Sequence, residues 1–444
     1  MSGITELAKK IQELDEQLAA CSRCGMCQAV CPLFSQTGQE ADVARGKLAL
    51  LDGLKEAMFK DPNGVMDRLN RCLLCGSCEA GCSCEVNILE IFFKARVILA
   101  GYKGLSLTQK IILRQILLRP ATFDKVIKTA AKYQSLFTRA ANENQDTSCA
   151  RFFAPVPSTR HFKPLAGKPF HELRPFINTS PGKSDIKVAF FPGCLLDKVF
   201  PNIADAVVKV LEYHGVGIFM PKGQGCCGIP AISSGDIKTF NGLVDHNIKL
   251  FEKGEFNYLV TACATCTFTI KKVWPMMFEN SSREVQKSLM VIAEKTIDIS
   301  NFLVSYVGVS HSESIMGNAE TVTYHDPCHL KKSLGIYKEP RTLIRANPSC
   351  SFSEMEAPDS CCGMGGSFNF KYYEMSSDIS EKKRDHIIAS KSTTVATSCP
   401  ACMMQIADIL SKHNDPVVVK HVIELYYESI KTFRGRETNE SSPS

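Results

Sequence analysis

The sequence predicts an α/β protein in which an N-terminal α-helical module precedes two duplicated, cysteine-rich α/β lobes related by a pseudo-twofold axis. Three observations predict it. Ten of the 21 cysteines fall into two copies of one pattern, a lone Cys, then Cys-Cys-Gly, then Cys-x-x-Cys. Each copy alternates short apolar runs with helical patterns, as a parallel α/β sheet requires. Ahead of both copies, two four-cysteine runs are separated by text of helical periodicity.

At 444 residues the chain is long enough for several domains, each with its own core. Apolar content of 44% and charge of 22% are ordinary for a globular protein. A net charge of +6 is mild and predicts no nucleic-acid partner. Met1 runs straight into ELAKKIQELDEQLAA, with no charged-then-apolar leader, which predicts a cytoplasmic, reducing location. There, clustered cysteines read as metal ligands rather than disulfides. Without a run of about 18 uncharged apolar residues, no transmembrane span is expected.

Residues 1–102 read as the helical module. CSRCGMCQAVCP places Cys21, Cys24, Cys27 and Cys31 at intervals of two, two and three residues, and RCLLCGSCEAGC repeats them with Cys72, Cys75, Cys78 and Cys82. This is the spacing of a two-cluster ferredoxin, in which three close thiolates hold one cubane and the fourth ligates the other. It predicts Cys21, Cys24, Cys27 and Cys82 around one [4Fe-4S] cubane, and Cys72, Cys75, Cys78 and Cys31 around a second. Zinc is disfavoured because its sites separate two ligand pairs by a longer spacer. The second run continues to Cys84 and lacks the proline that follows Cys31, so Cys84 competes with Cys82 as a ligand. DVARGKLALLDGLKEAMF between the runs, and VNILEIFFKARVILAGY after them, read as helices.

Residues 103–185 read as a basic helical segment and a proline-rich linker. Ile112, Leu113, Ile116 and Leu117 alternate with basic residues up to a break near Pro120. Between Gly101 and Ala140, Lys103, Lys110, Arg114, Arg119, Lys125, Lys128, Lys132 and Arg139 face the single acid Asp124. Such a helix covers a core as an ordinary solvated element, or lies on an anionic membrane surface, or docks a partner. From Asn142 to Lys183 the text turns polar and proline-rich, as in APVPSTRHFKPLAGKPF, and reads as a linker or an extended strap.

The first lobe spans 186–319 and the second 320–432, followed by a polar tail at 433–444. The lobes carry Cys194, Cys226, Cys227, Cys263 and Cys266, and Cys328, Cys361, Cys362, Cys399 and Cys402. The intervals are 31 then 35 residues in the first and 32 then 36 in the second. KVAFFPGC, GVGIFMP and YLVTACATC read as strands in the first lobe; TVTYHDPCH, CSFSEM and TTVATSCPAC answer them in the second. Ligands collect beyond the carboxyl ends of parallel strands, which is where these cysteines fall. Gly223-Gln224-Gly225-Cys226-Cys227-Gly228 formally matches a dinucleotide fingerprint, but its variable positions are the cysteine pair itself. Its glycines, with Gly363, Gly365 and Gly366, are expected to let the backbone approach a bulky cluster.

Over nearly its whole length the chain resembles the CCG-domain iron-sulfur oxidoreductases: the D-type subunits of heterodisulfide reductase, the iron-sulfur subunit of glycolate oxidase, and relatives serving lactate and glycerol-3-phosphate dehydrogenases. CSRCGMCQAVCP, ARGKLALL, FFPGC, YHDPCHL, and CCGMGG followed by CPAC carry the resemblance. It implies that each complete five-cysteine set binds a noncubane [4Fe-4S] cluster, so that one or two such clusters join the two cubanes. It also implies an FAD-containing dehydrogenase partner, and a membrane-surface or quinone-reducing partner at the inner face of the cell membrane.

Two functions follow. One is an iron-sulfur electron-transfer subunit of a flavin-dependent lactate or glycolate dehydrogenase, passing electrons towards a quinone or other acceptor. The other is a heterodisulfide reductase-type catalytic subunit, with Cys226, Cys227, Cys361 and Cys362 as the catalytic thiolates. His325, Asp326 and His329 could deliver protons to a reducible substrate, or cap and bond backbone groups as such residues commonly do. Lys331 and Lys332 could attract an anionic substrate or be solvated. Cys84, Cys149 and Cys350 outside the motifs read as packing thiols, and Trp274 as core.

Overall fold

The computed structural model describes residues 2–151, 160–279, 281–312 and 315–440. Part of the proline-rich stretch, 152–159, and the last four residues of the expected tail lie outside the described residues. The final helix, Val422–Glu440, runs through most of that tail.

Leu7, Ile11, Leu14 and Leu18 recur every three or four residues, so helix Ser2–Ile11 and the turns after it present one apolar face. That face packs against helices Ala44–Lys55 and Ile88–Lys103 through Leu48, Leu51, Phe92 and Phe93, all buried. Each such burial stabilises by about 1.5–3 kcal/mol. The core therefore holds two cysteine loops that have little regular structure of their own. Each loop turns at a glycine with positive φ, Gly25 at 88° and Gly76 at 71°, just before its third cysteine. Short helices Met26–Val30 and Ser77–Ala80 then start at matching points of the two runs.

Strands β1 (Thr138–Asn142) and β2 (Thr147–Ala150) form an antiparallel hairpin. It lies on helix Pro400–Lys412 of the second lobe, with Thr147 Oγ1 2.6 Å from Ser411 Oγ and His161 N donating to Asp408 Oδ1 at 2.8 Å. Phe170 then enters the core, and β3 (Ile177–Asn178) adds an antiparallel edge to the first lobe's sheet. The stretch from Asn142 thus crosses from one lobe to the other.

The first lobe is built on β4 (Lys187–Phe191), β5 (Gly217–Met220), β6 (Tyr258–Thr261) and β7 (Thr296–Asp298), in the order β3-β5-β4-β6-β7. The second is built on β8 (Glu320–His325), β9 (Cys350–Phe352), β10 (Thr394–Thr397) and β11 (Val418–His421), in the order β11-β10-β8-β9. All but β3 are parallel. In both lobes the strand before the lone Cys lies between the strand before the Cys-Cys pair and the strand before the Cys-x-x-Cys. Every residue of β5 and β10 is buried, as sheets covered on both faces require. The lobes share one core, in which Val207 and Leu211 join Leu343 and Ile423. β3, β7 and β11 escape a sequence reading because two to four residues cannot display a period.

Candidate metal centres

The two N-terminal runs interleave. Cys21, Cys24, Cys27 and Cys82 line one small cavity, and Cys31, Cys72, Cys75 and Cys78 line another. Cys78 also borders the first cavity, so the two share a wall. Cys84 sits at the rim of the first cavity, exposed, with its sulfur 3.1 Å from Ser22 Oγ. Backbone amides point at the sulfurs: Phe34 N donates to Cys31 Sγ and Leu74 N to Cys72 Sγ, both at 3.4 Å. Lys47, buried on the helix between the runs, borders the second cavity and donates to Asp42 O. Burial lowers its pKa against the pull of Cys72 and Cys31. Arg45 borders the first cavity, its guanidinium held by Glu40 at 2.7 Å. The spacing argument missed both cations, although ARGKLALL places them one turn before the buried leucines.

In the first lobe the loops after β4, β5 and β6 bring Cys194, Cys226-Cys227 and Cys263/Cys266 together. Sulfur contacts run from Cys194 to Cys226, from Cys227 to Cys266 and from Cys266 to Cys263. Trp274 Nε1 donates to Cys227 O at 2.8 Å and Asn247 Nδ2 to Cys226 O at 3.0 Å, fixing the cysteine pair from behind. Trp274 is core, and serves the site through that bond. In the second lobe Cys362 Sγ lies 3.5 Å from Cys402 Sγ, and Cys328 and Cys361 close the set.

Two of the motif glycines, Gly228 and Gly363, do a different job from the one expected of them. Gly228 and Gly363 have φ of 94° and 91°, and a Cβ there would fall 2.7 Å from Phe240 or 2.5 Å from Ser376 O. They admit the helix packed behind each pair, not a cluster in front. Gly193 is the residue that clears room for sulfur, since its Cβ would sit 2.9 Å from Cys266 Sγ.

These thiols suit a shared metal centre. Neighbouring sulfurs and burial push Cys226, Cys266 and Cys402 well above the usual thiol range, while hydrogen bonds from adjacent sulfurs pull Cys227 and Cys362 well below it. Buried sulfurs that must share protons this way are relieved by a cation, which takes the thiolate form from all of them. In the second lobe His325, Cys362 and Cys402 approach within 4.8 Å of one another, close enough to face a common metal centre.

The four sets form one series. Cys75 of the second N-terminal cavity contacts Cys361 of the second lobe, and Cys399 of that lobe contacts Cys263 of the first. Ala264 N donates to Ser398 O at 3.1 Å across the same seam. At the far end a cleft of about 120 Å³ opens onto Cys194 and Cys226. Asp124, His171, Asp197 and Lys198 line its polar side. Lys198 Nζ pairs with Asp124, lies 2.6 Å from Asp197 Oδ2 and 3.0 Å from His171 Nδ1, so its ammonium occupies the place a metal ion would take among them.

The polar residues of HDPCH are accounted for individually. Asp326 forms a buried two-point ion pair with Arg341, at 2.8 and 3.0 Å, so it is structural. His329 stacks on Phe268 at 4.4 Å, with Nε2 2.9 Å from Leu74 O, and joins the lobes to the N-terminal module. Lys331 lies 3.4 Å from both Asp326 and Asp359, and Lys332 donates to Ser77 Oγ at 2.6 Å. His325 is buried, and burial pushes its pKa down to about 3. Cys149 and Cys350 are buried, and Cys149 Sγ accepts from Arg139 Nε at 3.4 Å.

The cysteine-rich CCG domain matches twice, at residues 188–271 and 322–407, and a 4Fe-4S dicluster domain matches at 17–86. Lactate utilization protein A 2 of Bacillus cereus (strain Q1) is 31% identical over 240 residues, 54% of this chain and 97% of that protein. The chain belongs to the CCG-domain iron-sulfur proteins. As a member of that family it is a redox-active iron-sulfur oxidoreductase subunit. A probable glycolate oxidase iron-sulfur subunit of Bacillus subtilis (strain 168) is 27% identical over 406 residues, 89% of each chain. One subunit of the fumarate reductase (CoM/CoB) of Methanothermobacter marburgensis is 26% identical over 426 residues, 95% of this chain and 74% of that one. No helix among the described residues is long and apolar enough to cross a membrane.

Proposed function

We propose that this chain is the iron-sulfur electron-transfer subunit of a flavin-dependent 2-hydroxy-acid dehydrogenase complex of the lactate or glycolate type, passing electrons towards a quinone or other acceptor. Cys21, Cys24, Cys27 and Cys82 would hold one cubane [4Fe-4S] cluster, and Cys31, Cys72, Cys75 and Cys78 a second. The five cysteines of each lobe would hold a noncubane cluster. Bound there, the clusters supply one-electron steps between a two-electron donor and an acceptor. The observation that carries this reading is the unbroken adjacency of the four cysteine sets, from exposed Cys24 to the cleft at Cys194. Arg45 sets positive charge beside the first set, and burial keeps water from Cys227, Cys263, Cys266, Cys362, Cys399 and Cys402 in the lobes. The names of the glycolate oxidase and lactate utilization relatives support the donor class, with a separate FAD-containing subunit performing the two-electron step. We place the complex in the cytoplasm, against the inner face of the cell membrane. Iron and acid-labile sulfide, measured on anaerobically purified protein, should give about 16 irons per chain. A value near eight would rule out loaded lobes.

The cleft favours a second reading, disulfide reduction of the heterodisulfide reductase type, because it gives a small molecule access to Cys194 and Cys226. Cys226, Cys227, Cys361 and Cys362 would then be catalytic. A new paramagnetic signal on oxidation with a thiol present, lost in Cys226→Ala or Cys361→Ala, supports it; no signal with any thiol leaves the electron-transfer role alone.

A further inference from the structure

β4 and β8 open the two lobes in the same register. Phe191 pairs with Thr261 on β6, and His325 pairs with Thr397 on β10. Each threonine stands two residues before the first cysteine of its Cys-x-x-Cys, Cys263 or Cys399. Phe191 and His325 therefore occupy one position of the duplicated fold, with a phenyl in one lobe and an imidazole in the other.

Their surroundings match as well. A Cβ on Gly193 would lie 2.9 Å from Cys266 Sγ and 3.5 Å from the Phe191 ring, so that ring and the second sulfur of the first lobe's Cys-x-x-Cys both stand against Gly193. His325 borders the equivalent Cys402 together with Cys362, a ring nitrogen and the two sulfurs lying within 4.8 Å of one another. The imidazole is 1% exposed; Pro358 O is the one backbone acceptor it meets, and no side chain bonds either nitrogen. An unsatisfied buried polar group costs about 1–3 kcal/mol. A phenyl at this place, as in the first lobe, avoids that cost. The neighbouring charged groups are engaged elsewhere: Asp326 with Arg341, and Lys383 Nζ with Ala357 O and Pro358 O at 3.0 and 3.2 Å. Besides that carbonyl, the sulfurs of Cys362 and Cys402 lie within reach of a ring nitrogen.

We propose that His325 is a metal ligand of the second lobe, a nitrogen donor to its cluster beside Cys362 and Cys402 and additional to the five cysteines. The inference rests on the reading that this lobe holds an iron-sulfur cluster. Imidazole is a ready iron ligand beside thiolates, and a histidine in the ligand set distinguishes a cluster from its all-cysteine counterpart. The two lobes are then chemically unequal despite their duplicated cysteines.

Pulsed EPR on anaerobic holoprotein carrying nitrogen-15 histidine, in oxidised and reduced states, tests this alongside iron analysis. The expected result is one signal with a directly bonded histidine nitrogen coupling, which changes with the isotope and vanishes in His325→Phe. That variant installs the first lobe's own residue, and the isotope measurement on the unaltered protein does not depend on it. About 16 irons per chain with no such coupling, or with a coupling that persists in His325→Phe, overturns the ligand assignment alone. About eight irons overturns the cluster and the ligand together.

Discussion

Cys82 and Cys84 are separated by one serine and both border the cavity of Cys21, Cys24 and Cys27, yet Cys82 is half-buried against the core while Cys84 is exposed against Ser22. Cys82→Ser is therefore expected to remove about four irons per chain, the content of one cubane, and Cys84→Ser to leave iron content and visible absorbance unchanged. Equal losses in both would show that the two thiols exchange. The same scale explains Asp326, which sequence alone offered as a proton donor or, more commonly for such residues, as a cap or backbone partner. Its partner Arg341 is 15 residues away and also binds Glu354 at 2.6 Å, and no local pattern announces that pairing. Lys47 and Lys383 escaped for a related reason. Lysines on helices ordinarily extend into water, and only the packing around each shows that its ammonium is buried beside cysteines.

At the scale of elements, the segment from Leu107 to Phe137 joins a capping box at Ser106 and Gln109, a π-helical turn over Ile111–Leu117 and helix Pro120–Phe137. None of the last helix's residues is buried. Its inner face, with Phe123, Ile127 and Gln134, leans on the body, while Val126, Tyr133 and Phe137 fall within roughly 40° of arc on the outside, at ~100° per residue. Leu107, Ile111 and Ile112, ahead of the break at Pro120, are 78, 55 and 51% exposed, and Lys125 and Lys132 are exposed on the helix after it. A basic, apolar surface of this kind matches an anionic bilayer. The holoprotein is expected to sediment with phosphatidylglycerol vesicles, to release in high salt, and to ignore phosphatidylcholine; Leu107→Glu with Ile111→Glu should abolish binding. Retention of the variant on vesicles would count against the surface. The charge bias and the apolar spacing were legible in the chain, but which side of the helix faces outward depends on what packs beneath it.

At the scale of the whole molecule, Arg96 ties the module to the first lobe. It donates to Leu69 O and Cys72 O at 2.5 and 2.8 Å and to Ser233 O at 2.7 Å, and is 5% exposed. Arg96→Met leaves three carbonyls without their buried donor, at about 1–3 kcal/mol each before relaxation. Anaerobic thermal unfolding should fall by several degrees, and limited proteolysis should release the module ahead of the lobes; an unchanged digestion pattern would show that cysteine contacts alone hold the join. The classes of element, the duplication and the cysteine inventory are written along the chain, because ligand spacing and strand-helix alternation are local properties. The order in which the four cysteine sets meet, the cleft at one end, and the imidazole that stands where the other lobe has a phenyl come from the folded molecule. Those depend on contacts between residues tens to hundreds of positions apart, such as Cys75 with Cys361 or Cys263 with Cys399, and packing rather than periodicity creates them.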